Sequence, residues 1–134
     1  HRHSSAASDV YKRQAQGEVL QLQHKGDSEM LEDTYLNIIS SKTAALFSAS
    51  SKVGSIITDK DNKFKDALEF YGKNLGLTFQ IADDTLDYNS ELKMFGKEIG
   101  KDFFEGKVTL PIILLNQKLS SDEKLVIKKI KELI

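Results

Sequence analysis

Four polar residues fix the character of one stretch of this chain. Gln80, Asp83, Asp84 and Asp87 stand at i, i+3, i+4 and i+7. At about 100° per residue, that spacing places all four on one face of an α-helix. Three carboxylates on one face repel, each like-charged pair destabilising a helix by roughly a few tenths of a kcal/mol. Aspartate is also a poor interior helix residue. No lysine or arginine lies within four residues of Asp84 to relieve the repulsion. Two readings are open: a solvated acidic face near a helix end, or a carboxylate wall neutralised by a divalent cation. The apolar neighbours Phe79, Ile81 and Leu86 imply partial burial and favour the cation. Mg²⁺ suits such a wall, because it takes oxygen ligands, commonly one or two carboxylates together with substrate phosphate oxygens.

The surrounding sequence reads as all-α. Val19, Leu20 and Leu22 belong to a helix ending near His24, with Gly26 as terminator. Leu36, Ile39, Leu46, Phe47, Val53 and Ile57 recur at helical spacing, as one bent helix or two, with the join near Ser40 to Thr43. A polar connection over Asp59 to Lys63 leads into a long helix from about Phe64 to Leu86. Leu68, Tyr71, Leu75, Phe79 and Ala82 form its broad apolar face. Gly96, Gly100 and Gly106 break Ser90 to Lys107 into a loop with one helical turn. Val108 to Leu119 reads as a helix with Pro111 in its first turn, where proline is tolerated. Ser120 and Glu123 have the spacing of a capping box opening a last helix.

Residues 1–14 (HRHSSAASDVYKRQ) lack helical or alternating periodicity and any apolar core of a secretory signal. They are expected to be a non-native or disordered leader, with 15–134 as the folded part. That part ends without a stop signal, so the chain is expected to be cut at both ends.

Bulk properties exclude several classes. The net charge of −1 gives no reason to expect nucleic acid or an anionic membrane as partner. Without cysteine there is neither a disulfide nor a thiolate metal site, and the three histidines make no convincing metal site. No apolar run approaches the roughly 20 residues of a transmembrane helix.

Two further segments carry charge chemistry. Between Gly96 and Lys107, three glycines alternate with Lys97, Lys101 and Lys107. Glycines let backbone approach a ligand, and lysines act as point charges for phosphate. This is no Walker A loop, because Val108 follows Lys107. A plain solvated loop is the alternative. Lys42 and Thr43 lie near the expected bend, where the lysine either meets an anion or extends to solvent over Ala44, Ala45 and Leu46.

Taken together, these pieces resemble the trans-polyprenyl diphosphate synthases. Gly17-Glu18-Val19-Leu20-Gln21 looks like their GE-x-x-Q segment, and Lys42-Thr43-Ala44-Ala45-Leu46 like their KT motif. Phe79-Gln80-Ile81-x-Asp83-Asp84-x-Leu86-Asp87 looks like their second aspartate-rich motif. Gly96-Lys97, Gly100-x-Asp102 and Glu105-Gly106-Lys107-x-Thr109-Leu110-Pro111 look like the segment that follows. The order matches, the similarity runs over about Gly17 to Leu115, and the wording is most like octaprenyl and decaprenyl synthases.

The resemblance implies an isoprenoid-synthase-type helical bundle and head-to-tail condensation of isopentenyl diphosphate with an allylic prenyl diphosphate, dependent on Mg²⁺. It implies Asp83, Asp84 and Asp87 as metal residues, and Lys42, Lys97 and Lys107 as diphosphate contacts. Thr43 and Gln80 would aim oxygen dipoles at the transient cation, with Glu18 and Gln21 in support. A cytoplasmic homodimer is expected. One departure stands out: the family carries a first DDxxD on an earlier helix, and this chain has none. The 134-residue polypeptide alone is therefore expected to be inactive. A non-catalytic subunit of a heteromeric synthase and a terpene cyclase relative are the alternatives. The intact acidic motif argues against the first. The Phe79-Gln80 prefix and the Glu105-Gly106-Lys107 segment argue against the second.

Overall fold

A computed structural model describes residues 2–89 and 99–132 of the chain. Among the described residues every regular element is helical: α1 (Arg2–Gln23), α2 (Glu32–Ile39), a π-helical segment (Ser40–Ala44), α3 (Ala45–Ile57), α4 (Asn62–Leu86), α5 (Lys101–Phe104), α6 (Leu110–Lys118) and α7 (Ser121–Glu132). The all-α expectation holds. Helix α1 runs from Arg2, through the segment expected to be a leader, to Gln23.

The chain divides into two compact units, one of His1–Leu20 with Leu36–Gln80, the other of Gln21–Tyr35 with Ile81–Ile134. In the first unit, the expected bend takes the form of the π-helical segment. The Ala45 N–H bonds back five residues to the Ser40 carbonyl, which inserts one extra residue into the turn. α3 continues to Ile57 and is stopped by Thr58 and Asp59, the latter at φ 48°. Asp61 Oδ1 accepts the Phe64 N–H at 3.0 Å and caps α4.

α4 meets its neighbours in this unit through glycines. A Cβ on Gly72 would stand 2.5 Å from the Phe47 carbonyl oxygen, and one on Gly76 2.7 Å from Ala44 Cα. The helices approach that closely only because both positions lack a side chain. Ser48 Oγ donates to the Glu69 carbonyl at 3.1 Å, and Phe47 and Phe79 stack with centroids 5.5 Å apart. On the broad apolar face of α4, Tyr71, Leu75 and Phe79 are exposed.

The second unit has its own core, in which Met30, Tyr35, Val108, Ile112 and Ile113 are buried. Gly26 and Gly106 both have positive φ, which favours glycine, and the Gly26 N–H donates to the Gly106 carbonyl at 2.8 Å. Asn116 Nδ2 donates to the Ser28 carbonyl. α6 starts at Thr109 with Pro111 in its first turn. The capping box is formed: the Ser120 N–H donates to Glu123 Oε2 at 2.9 Å, and the Glu123 N–H reaches Ser120 Oγ at 3.5 Å. Among the described residues, no helix is long and apolar enough to cross a membrane.

Candidate functional site

The sequence-derived residues fall into two clusters, one per unit. In the first unit, the π-helical segment presents Lys42 and Thr43. Thr43 Oγ1 donates to Gln80 Oε1 at 2.8 Å, joining positions 37 residues apart in sequence. Lys42 Nζ stands 3.1 Å from Glu18 Oε1 on α1, the lysine half-buried and the glutamate more exposed. Gly17, one residue earlier, is buried where a Cβ would lie 2.7 Å from the Lys42 backbone nitrogen. Glu18, Lys42, Thr43 and Gln80 thus share one unit. Gln21, on the same helix α1, groups with the second.

In the second unit, the three aspartates do not occupy equivalent environments. Asp83 is exposed. Asp84 is buried and accepts a hydrogen bond from the Tyr35 hydroxyl at 2.6 Å. Asp87 is half-buried; its Oδ2 accepts the Asp102 N–H at 3.1 Å and its carbonyl the Gly100 N–H at 2.8 Å. Lys107 Nζ in turn stands 3.0 Å from Asp102 Oδ1 and 2.7 Å from Glu105 Oε2. Lys97 lies outside the described residues.

Electrostatics follow these contacts. The Glu105 carboxylate, and after it Asp102, holds the Lys107 ammonium well above the usual lysine range, against the opposing effect of burial. Glu105 is lowered in return, chiefly by its bond to Lys107. Burial, followed by the bond to Asp84, pushes the Tyr35 hydroxyl far above the usual tyrosine range. Burial also pushes Tyr88 up to about 12. Both tyrosines remain neutral at physiological pH, and the Tyr35 hydroxyl is the one seen to donate.

No three acidic, histidine or cysteine residues among those described are gathered as a ready metal cluster. The donor set nonetheless suits a hard divalent cation, being carboxylate oxygen throughout with no thiol or imidazole. Asp83 and Asp87 are the more accessible carboxylates, whereas Asp84 is committed to Tyr35. Tyr35 and Asp102 are the residues that the sequence reading left without a role. Asp102 was visible in the Gly100-x-Asp102 spacing, whereas Tyr35 gave no signal beyond a hydroxyl among apolar helix positions.

Comparison with known proteins gives a consistent picture. A family model described as polyprenyl synthetase matches residues 2–132. Octaprenyl diphosphate synthase of Escherichia coli (strain K12) is 42% identical over 99 residues, which are 74% of this chain and 31% of that protein. The crystal structure of a decaprenyl diphosphate synthase from Rhodobacter capsulatus superposes with a TM-score of 0.86 at 38% identity, covering 98% of this chain and 41% of that one. A polyprenyl synthase from Caulobacter crescentus CB15, crystallised in complex with calcium and isoprenyl diphosphate, superposes with a TM-score of 0.87 at 39% identity, covering 96% of this chain and 39% of that one. The chain spans about a third of the length of the curated relatives it matches.

Proposed function

The chain belongs to the polyprenyl synthetase family, and on that footing we propose that it forms the C-terminal part of a trans-prenyltransferase. The whole protein would condense isopentenyl diphosphate with an allylic prenyl diphosphate, head to tail, in isoprenoid biosynthesis. The observation that carries this reading is the 2.8 Å bond from Thr43 to Gln80. Two pieces that resemble separate family motifs meet there through polar side chains.

The chemical problem is to stabilise a departing diphosphate and a short-lived carbocation. Lys42 and Lys97 hold the allylic diphosphate as point charges, and Lys107 adds a third cation balanced by Asp102 and Glu105. Thr43 and Gln80 direct oxygen dipoles toward the carbocation, each fixing the other's orientation. Asp83 and Asp87 would hold a divalent cation, with Asp84 bracing the helix that carries them. Mg²⁺ bound there would act as a Lewis acid on the leaving diphosphate. The complex of the Caulobacter protein with calcium and isoprenyl diphosphate supports this assignment. Glu18 and Gln21 support the site from α1. The assembled protein is a cytoplasmic homodimer in this proposal.

The test is elongation of a labelled allylic diphosphate by the full-length protein with isopentenyl diphosphate and Mg²⁺. Absence of any elongated product from folded, metal-loaded protein overturns the reading. The 134-residue polypeptide by itself is expected to give none.

A further inference from the structure

The geometry points to Gly17 and Glu18 as positioning residues for Lys42, acting through the π-helical segment; the inference rests on the proposed role of Lys42 at the allylic diphosphate. The π turn carries one more residue than an α turn, so the directions of Lys42 and Thr43 depend on where the extra residue is accommodated. Such a turn is held by what packs against it. Two glycines from two other helices close on this five-residue segment.

Gly76 of α4 lies against its last residue, with a Cβ there 2.7 Å from Ala44 Cα. Gly17 of α1 lies against its centre. A Cβ there would meet Lys42 backbone N at 2.7 Å and Lys42 Cα and Cβ at 3.1 Å each. These are main-chain atoms and the root of the side chain, so no flexible tip can swing aside. A methyl group at position 17 must displace the Lys42 backbone.

The adjacent residue acts on the other end of the same side chain. Glu18 Oε1 is 3.1 Å from Lys42 Nζ. Held there by Glu18, the long side chain stays oriented. Consecutive residues of one helix thus set the root and the tip of Lys42. Thr43, next in sequence, is held independently by Gln80. A change at Gly17 or Glu18 therefore acts first on diphosphate binding.

The experiment uses the full-length protein with Gly17→Ala, Glu18→Gln and, as control, Gly54→Ala, where nothing lies within 4 Å of the added Cβ. Two quantities are measured: amide hydrogen exchange over residues 40–44, and KM and kcat for the allylic diphosphate. Gly17→Ala is expected to speed exchange in that segment about tenfold and raise KM about tenfold, with a smaller change in kcat. Glu18→Gln is expected to raise KM about fivefold with kcat within about twofold. The control changes neither. KM does not depend on the fraction of protein folded, so a merely destabilising role for Gly17 leaves it in place.

If Gly17→Ala does not fold, the exposed Glu18 site decides alone. An unchanged or lowered KM in Glu18→Gln then overturns the inference. If Gly17→Ala folds, a KM within about twofold of wild type in both variants overturns it, whether or not exchange over 40–44 changes. If the unaltered protein has no synthase activity, the proposed function fails. The positioning inference is then judged by exchange in Gly17→Ala, and no change there overturns it as well.

Discussion

The Tyr35 hydroxyl donates to Asp84 Oδ2 at 2.6 Å, and both side chains are almost wholly buried. The contact divides an acidic motif that looks uniform in sequence. Asp84 turns into the unit's interior, while Asp83 stays exposed. A buried carboxylate is tolerated only with donors to satisfy it, and Tyr35 supplies one across 49 residues of sequence.

Tyr35→Phe keeps the ring and removes the donor. Hydrogen bonds to charged groups contribute about 1.5–3 kcal/mol, and a buried acceptor that loses its partner incurs its desolvation cost. Urea unfolding should show a loss of about 1.5–3 kcal/mol with the m-value unchanged. A loss below about 0.5 kcal/mol, the range of ordinary surface substitutions, would count against the bond as a brace for Asp84.

The same division separates the two neighbouring aspartates by readout. Asp83→Ala changes an exposed residue, so stability should move by no more than about 0.5 kcal/mol. Turnover by the full-length protein should fall by about two orders of magnitude even at saturating Mg²⁺. Asp84→Ala orphans the Tyr35 hydroxyl and should lower stability by about 1–3 kcal/mol. Paired thermal melts and labelled-substrate assays check both. Near-normal turnover in Asp83→Ala would remove it from the metal wall.

How far these features were legible in the sequence differs from residue to residue. Helical periodicity located α3, α4 and α6, and the Ser120–Glu123 spacing located the cap of α7, because those signals are local. The bend near Ser40 to Thr43 was visible as an interruption, but its π geometry was not. Gly17 and Gly76, which pack against that segment, arrive from other helices. The close approaches of Gly72 to Phe47 and of Gly76 to Ala44 are likewise contacts that hydrophobic periodicity does not report. The Thr43–Gln80 and Tyr35–Asp84 bonds join residues 37 and 49 positions apart, and no local pattern encodes such partners.

The raised tyrosines make a prediction about alkaline pH. A group whose folded pKa lies above its unfolded value contributes stability that is fully present below the unfolded pKa and is lost as pH rises through the folded one. Tyrosine in an unfolded chain titrates near about 10, and burial holds Tyr88 up to about 12. Stability should therefore fall between about pH 10 and 12 as the unfolded state releases its protons first. Tyr35, raised further, and Lys107, raised by Glu105 and Asp102, add to the decline. Tyr88→Phe should make it shallower across that window. An unchanged slope in urea midpoints against pH would show that Tyr88 is not shielded from solvent in the folded state.

Gly54 makes the complementary case to Gly17, Gly72 and Gly76. It lies within α3, an added Cβ meets nothing within 4 Å, and its φ is not positive. Nothing in the structure requires glycine there, so only its conformational entropy and low helix propensity count. Gly54→Ala should raise stability by about 0.5–1 kcal/mol, read as a higher urea midpoint. Gly72→Ala should do the reverse, because its Cβ would press on the Phe47 carbonyl at 2.5 Å. Backbone displacement and strain of that kind typically cost about 1–3 kcal/mol. The two substitutions add the same methyl group to helices of one unit, so opposite signs isolate close helix packing from intrinsic propensity. Equal gains from both would mean that α4 does not hold its close approach to Phe47 in solution.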